Sequence, residues 1–444
     1  MQAAIGANLA VQGAGAHLRA LRAMATFERR GQGPKAERIV PFYAVNPRQD
    51  TIWLPRGIWP QVHNLTGVQI QDRRLHFEHA DYGWRGQLRP DQAELQRQVL
   101  QRQGGVVVCP TGWGKTPLGL SLIAQWGQPT LILVNREQIA LQWVRAIKRF
   151  LTVDRRWIGQ VGEGKEYVGG ERIVVAMVQS LHKNQRTVDK LVGRMGAVVV
   201  DEGDGVPAQS VANIVTQFPG IYRASLTATP RRTDGLEGLM YALMGPGYTE
   251  MPYEEAFRMG VILRPKVHLV ASPLRVDEPL EWAALQRARA EDPDRNLLLC
   301  QIAAHLHRQG RKVLMPLDLK AHGVRVAEML RGYGVPAYSV DGEDPMRYRD
   351  RIAREMGQGR CVMIATSLAD RGLDVPTCDA EILAAPGRSE PRVIQQAGRV
   401  VRTAPGKVDA HIYDVCDVHA PVLRKQIQSR LHAYRAYGFD VVRR

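Results

Sequence analysis

From Leu88 onward, near-continuous apolar runs (GVVVCP, TLILVN, RIVVAMV, AVVVDE and IYRASLTA) alternate with stretches of helical texture. A strand buried on both faces reads as such a run, so the pattern predicts a parallel sheet covered by helices on both sides. The segment PYEEAFRMGVILRPKVHLV breaks the rhythm, and a second series follows: KVLMPLD, AYSVDG, CVMIAT, AEILAAP and HIYDV. Two such blocks predict two α/β domains in tandem. Ahead of them, HLRALRAMATFERR (17–30) sets Leu18, Leu21, Met24 and Phe27 on one face of an amphipathic helix that GQGPK ends. Residues 39–77 then alternate short apolar segments with Pro, Gly and Asn, as the short strands of a small accessory domain would. LRKQIQSRLHAYRAYGFDVV reads as a basic C-terminal helix with a short tail. The expected division is an accessory domain over 1–86, α/β domains over 87–262 and 263–416, and a helical extension over 417–444.

The chain has 444 residues, ample for several domains with their own cores. Sixty Lys and Arg against 44 Asp and Glu leave a formal charge of +16, a field that favours phosphate-rich partners or that simply reflects a generally basic surface. Five cysteines without paired spacing argue against a disulfide framework or a zinc module and point to a reducing compartment. With no basic stretch before the apolar N-terminal residues and no apolar run of bilayer length, the expectation is a soluble, cytoplasmic protein with no membrane partner.

The chemistry concentrates first in CPTGWGKT, between the run GGVVV and the helical PLGLSLIAQW. A strand, a Gly-containing turn and a helix present backbone N–H groups and a positive helix end to a phosphate. Thr111, Gly112, Trp113 and Gly114 form the turn, Lys115 reaches the outer phosphates, and Thr116 offers its hydroxyl to Mg²⁺. The full phosphate-loop pattern has Gly where Cys109 stands, and the competing reading is a chance turn with a surface lysine. An apolar strand ending in Asp201-Glu202 supports the first reading, with Asp201 for the Mg²⁺ shell and Glu202 to take a proton from attacking water. Phosphoryl transfer also needs positive charge opposite the γ-phosphate. QQAGRVVR supplies Arg399 and Arg402, three apart and therefore on one face if helical.

In this order the motifs resemble those of superfamily two helicases and translocases, similar to phage UvsW-like, XPB-like and restriction-type members. The resemblance runs from Leu88 to Arg402. It implies two RecA-like domains and ATP with Mg²⁺ as cofactors. LRPDQ, with Arg89 and Gln92, resembles the adenine-contacting segment, and CPTGWGKT stands as motif I. LVNREQIALQW and VAMVQSL resemble motifs Ia and Ib, VVDEGD the DEAD/DEAH box, SLTATP motif III, IATSLADRGLDVP motif V and QQAGRVVR motif VI. The resemblance places Gly372 and Asp374 in the nucleotide cleft and makes Gln395, Arg399 and Arg402 the catalytic residues of motif VI. The box departs from the usual pattern in Gly203, with Asp204 at its fourth position. Trp113 is either a ring packed beside the loop or a direct participant.

Gln395 where RNA-remodelling relatives carry His, the TATP form of motif III and the lack of a Phe-containing Q motif all lean the resemblance toward DNA, single-stranded, forked or branched. RNA stands as the alternative. The resemblance assigns backbone contacts to Asn135, Arg136, Gln179, Ser180, Thr366, Ser367 and Arg371, each with local hydrogen bonding as its competing role. Thr227 and Thr229 are its candidates for coupling the nucleotide cleft to the nucleic-acid groove. Arg56, Arg73, Arg74, Trp53, Trp59 and Trp84 either engage nucleic acid or fill a small core. Arg424, Lys425, Arg430 and Arg435 form a DNA-facing patch or a solvated helix face. The function so implied is an ATP-dependent DNA helicase or branch-remodelling translocase of phage replication, recombination or repair, in a bacterial or phage-infected cell. The alternatives are an RNA helicase, or an ATP-gated clamp or motor subunit of a restriction-type complex whose protein partner the sequence does not identify.

Overall fold

A computed structural model of the chain describes residues 1–30, 39–232, 234–276, 280–366, 375–387 and 390–443. By contacts the chain divides into two units, one of Met1–Cys109 with Gly114–Met251, the other of Pro110–Trp113 with Pro252 onward.

The first unit carries an eight-stranded sheet in the order Lys165–Tyr167, Ile158–Gly162, Ile173–Met177, Thr130–Val134, Ala197–Asp201, Tyr222–Thr227, Gly104–Val108, Tyr248–Glu250. Every pairing is parallel except the first, an edge hairpin. All five apolar runs of the first block became strands. Gly104–Val108 and Thr130–Val134 are buried along their whole length, which only helices on both faces permit. Each fully buried Val or Leu withdraws a side chain worth roughly 1.5–3 kcal/mol, and the stacked valines, leucines and methionines between sheet and helices form one continuous cluster.

The accessory region belongs to this unit. Its five strands, in the order Ala44–Asn46, Thr51–Leu54, Leu9–Gln12, Gln2–Ile5, Ile70–Asp72, enclose a separate small core around Leu9, Val11, Leu21, Ile52 and Val62. The helix expected over 17–30 spans only Leu18–Met24. Thr26–Glu28 is instead a strand paired with Ile39–Pro41, because the β-favouring Thr26 and Phe27 find cross-strand partners there. Arg56 and Arg223 fasten the accessory sheet to the larger one: Arg56 donates to Gly220 O at 2.6 Å, and Arg223 to Ala7 O at 2.7 Å.

The second unit carries a seven-stranded, all-parallel sheet in the order Ala337–Val340, Val362–Thr366, Val313–Leu317, Ala380–Leu383, His411–Cys416, Lys266–Ala271, Asp440–Arg443. All five runs of the second block are strands. Lys266–Ala271, inside the segment that broke the rhythm, is another, and the tail beyond helix Pro421–Ala436 adds the last strand of the sheet. Both sheets are therefore parallel and helix-covered, the architecture of two RecA-like domains.

Candidate nucleotide and hydrolytic site

Strand Gly104–Val108 delivers the chain into CPTGWGKT, and helix Lys115–Trp126 carries it away. Gly114 caps this helix at φ 106°, a left-handed conformation that glycine adopts at least cost, and no side chain closes the helix start. Its first N–H groups and the positive end of its dipole thus face the loop, as an anion requires. Lys115 Nζ donates to Cys109 O at 3.2 Å, which holds the ammonium over the turn. Thr116 sits half-buried in the first helical turn. Arg89 N–H donates to Gln92 Oε1 at 3.1 Å, and Arg89 pairs with Asp91 at 3.0 Å. The buried Gln92 amide lies against the loop: a Cβ on Gly114 would stand 2.6 Å from its Nε2.

The acid box ends strand Ala197–Asp201, flanked by Thr130–Val134 and Tyr222–Thr227. Asp201 Oδ1 accepts from Glu202 N–H at 3.0 Å and Oδ2 from Trp143 Nε1–H at 2.7 Å. Glu202 stands at φ 54°, a strained conformation for a residue with a side chain and one that clusters at functional sites. Burial raises its carboxyl above the ordinary glutamate value, and the charges of Asp201 and Asp204 add to the rise; Arg136 and Asn135 oppose it. Asp204 is also raised by burial, opposed by a backbone N–H, Arg232, Thr227 and the Lys115 ammonium. Gly203 packs closely on Ser225: a Cβ at the box's third position would meet Ser225 Oγ at 1.8 Å, so a side chain there would force that hydroxyl to turn away. Thr227 Oγ1 accepts from Thr229 N–H at 3.1 Å and lies 3.4 Å from Asp204 Oδ1, so motif III touches the box directly. Arg232 donates to Asp204 O.

The donors suit Mg²⁺. Thr116 and Asp201 offer hard oxygens, and among the described residues no group of three or more His, Cys, Asp or Glu side chains builds an all-protein cage. Mg²⁺ typically takes one or two protein oxygens, keeping water and phosphate for the rest.

In the second unit, Gln395 is half-buried on helix Glu390–Ala397. Arg399 and Arg402 do not share a helical face as expected. The helix ends at Ala397, Gly398 follows, and Arg402 already pairs as extended chain with Ile262. Arg399 is buried and forms an ion pair with the fully buried Glu381 at 3.3 Å. Residues 110–113 group with this unit, where a Cβ on Gly112 would stand 2.6 Å from Arg402 Cγ and one on Gly398 2.5 Å from Thr111 Cβ. Trp113 is fully buried, which places its ring in the packing beside the loop.

Among the backbone-contact candidates, Asn135 and Arg136 are half-buried between strand Thr130–Val134 and helix Glu137–Phe150. Gln179 is exposed and Ser180 half-buried on helix Val178–His182, and Thr366 is buried at the end of its strand. Ser367, Arg371, Gly372 and Asp374 lie outside the described residues. Several basic and aromatic candidates have structural roles. Arg56 is buried on backbone carbonyls, Arg74 pairs with Asp72 at 2.7 Å, and Trp84 stacks on Phe150 with ring centroids 5.6 Å apart. Arg430 is not on a solvated face or a patch: it is buried against Asp414, with two contacts of 2.8 Å. Arg424, Lys425 and Arg435 are exposed. All five cysteines are buried and free. No helix among the described residues is long and apolar enough to cross a membrane.

A phosphate loop, an acid box two strands along the same sheet with Tyr222–Thr227 between them, and two helix-covered sheets of mainly parallel strands define a nucleoside-triphosphatase of the RecA-like class. The family described as "Type III restriction enzyme, res subunit" matches residues 85–232, and the "Helicase conserved C-terminal domain" matches 294–404. The chain belongs to the superfamily two helicases, a family of ATP-hydrolysing enzymes. It is 25% identical over 335 residues to a probable helicase of Escherichia phage T5, covering 74% of this chain and 71% of that one. A putative DNA 3'-5' helicase of Halobacterium salinarum is 28% identical over 325 residues, covering 71% of this chain and 52% of its own length. The fold is similar to that of an ATP-dependent Type ISP restriction-modification enzyme solved bound to DNA, with a TM-score of 0.61 and 13% identity over 81% of this chain and 31% of that one.

Proposed function

We propose that this protein is an ATP-dependent DNA helicase or translocase that couples hydrolysis to movement on DNA and to unwinding or branch remodelling. The observation that carries the reading is the convergence at the first sheet's strand ends: Lys115 over an uncapped helix start, with its charge acting on an acid box in which Asp201 is fixed and Glu202 is made more basic. The relative of Halobacterium salinarum, named a putative DNA 3'-5' helicase, supports the DNA assignment, and the probable helicase of phage T5 supports helicase activity.

In this mechanism Lys115 and the helix N–H groups bind the outer phosphates, while Gln92 with Arg89 reads the base. Glu202 accepts the proton of the attacking water, a task for which its raised affinity for protons suits it. Thr116 and Asp201 would hold Mg²⁺, which would supply charge neutralisation to the phosphates when bound. Arg399, Arg402 and Gln395 of the second unit stabilise charge developing on the γ-phosphate. The Thr227–Asp204 contact links the box to motif III, the route by which the state of the nucleotide reaches the DNA-contacting segments. Asn135, Arg136, Gln179, Ser180, Thr366, Ser367 and Arg371 grip the DNA backbone without reading sequence.

The test is steady-state ATPase activity with no polynucleotide, single-stranded DNA, duplex, a four-way junction and RNA. DNA stimulation, lost in Lys115→Ala and Glu202→Gln, is the expected result. Stimulation by RNA alone overturns the substrate, and hydrolysis retained in both variants overturns the site.

A further inference from the structure

Helix Glu137–Phe150 begins directly after Asn135 and Arg136, and its buried face carries Ile139, Trp143, Val144 and Ile147. A tryptophan on such a face ordinarily fills space. Trp143 also does something an aliphatic residue could not: its Nε1–H donates to Asp201 Oδ2 at 2.7 Å while its side chain is 1% exposed. Its ring packs against the phosphate-loop helix, where a Cβ on Gly119 would stand 2.8 Å from Trp143 Cη2 and 2.9 Å from Leu226 Cδ1. The indole is therefore wedged between the helix that starts at Lys115 and the strand that ends at Asp201. Gly119 leaves the space, and Trp143 uses it to reach the carboxylate. The Asp201 backbone fixes only one end of the side chain, and the Glu202 N–H holds only Oδ1. Without a donor to Oδ2, the carboxylate could turn about its terminal torsion, which is broad for aspartate.

We infer that Trp143 is a positioning residue that sets the carboxylate plane of Asp201 for Mg²⁺ bound with nucleotide. The inference rests on the assignment of Asp201 to that ion. Outer partners that orient a metal ligand contribute to metal affinity, typically by tenfold or more. The same indole ties the helix that follows Asn135 and Arg136 to the metal-facing group, so any displacement of this helix is felt at Asp201.

The test is calorimetric titration with ADP, once with Mg²⁺ and once with EDTA. Trp143→Phe keeps an aromatic ring, though a smaller one, and removes the donor; MgADP should bind about tenfold more weakly while metal-free ADP binds as before. A purely structural role would weaken both. Trp143→Phe added to Asp201→Asn should cause no further loss. Gly119→Ala retains both partners and displaces the ring, so it gives the same selective loss independently of how well Trp143→Phe folds. Unchanged MgADP affinity in both Trp143→Phe and Gly119→Ala, or a further loss on the Asp201→Asn background, overturns the inference. If Asp201→Asn alone leaves the Mg²⁺-dependent gain intact, the assignment of Asp201 to the metal has failed instead.

Discussion

At the scale of single residues, Glu202 joins catalysis and stability in one titration. Burial, followed by the charges of Asp201 and Asp204, raises its carboxyl above the ordinary value, so the folded state holds this proton more tightly than the unfolded chain does. Stability therefore falls as pH rises from the unfolded value through the folded one, and the full cost is present once the pH lies above the folded value. Glu202→Gln should abolish turnover while raising the melting temperature at pH 7.5 by about 2 °C; the gain should vanish once the pH is low enough to protonate the glutamate in both states. Thermal scans of the two proteins across pH 4–8 measure it, and equal melting temperatures throughout would contradict the burial argument. Because Asn135 and Arg136 oppose the rise, Asn135→Ala should move the acid limb of the ATPase profile to higher pH, as a pH–rate series would read.

Among the elements, helix Pro421–Ala436 shows why charge in a sequence does not announce its place. Arg424, Lys425 and Arg430 look alike there, yet Arg430 is buried and bidentate on Asp414, which Tyr434 also contacts at 3.0 Å. Arg430→Ala would leave that carboxylate buried and unpaired, at a cost of about 3–5 kcal/mol, whereas Arg424→Ala, at an exposed position, should stay within about 0.5 kcal/mol; urea unfolding of both variants decides. The long buried strands were legible because a strand covered on both faces must be apolar throughout. Gln2–Ile5 and Leu9–Gln12 were not: each has four residues with alanine among them, and they are held by pairing with each other and with Ile70–Asp72 and Thr51–Leu54 on either side. The same distinction holds in the site. Lys115, Asp201 and Glu202 were legible because chemistry fixes their type and order along the chain. Trp143 was hidden in an ordinary apolar stripe, and the end of the motif VI helix at Ala397 turned on one glycine.

For the whole molecule, the excess of 16 positive charges becomes testable only through its salt dependence. A motor that moves without reading sequence must hold phosphates, and each phosphate neutralised releases condensed counterions. The exposed arginines and lysines that remain after Arg56, Arg74 and Arg430 are assigned to internal contacts are the ones free to contribute. If about four phosphates are engaged, affinity for duplex DNA should fall about a hundredfold between 50 and 200 mM salt, and for single strands about fiftyfold. Fluorescence anisotropy on two unrelated sequences should give the same slope, since backbone contacts carry no sequence information. Lys115→Ala should leave that slope in place while abolishing hydrolysis, because its ammonium faces the nucleotide loop. A shallow slope with strong binding would shift the grip from phosphates to bases. A slope lost with Lys115 would mean that nucleotide binding itself creates the DNA-holding state.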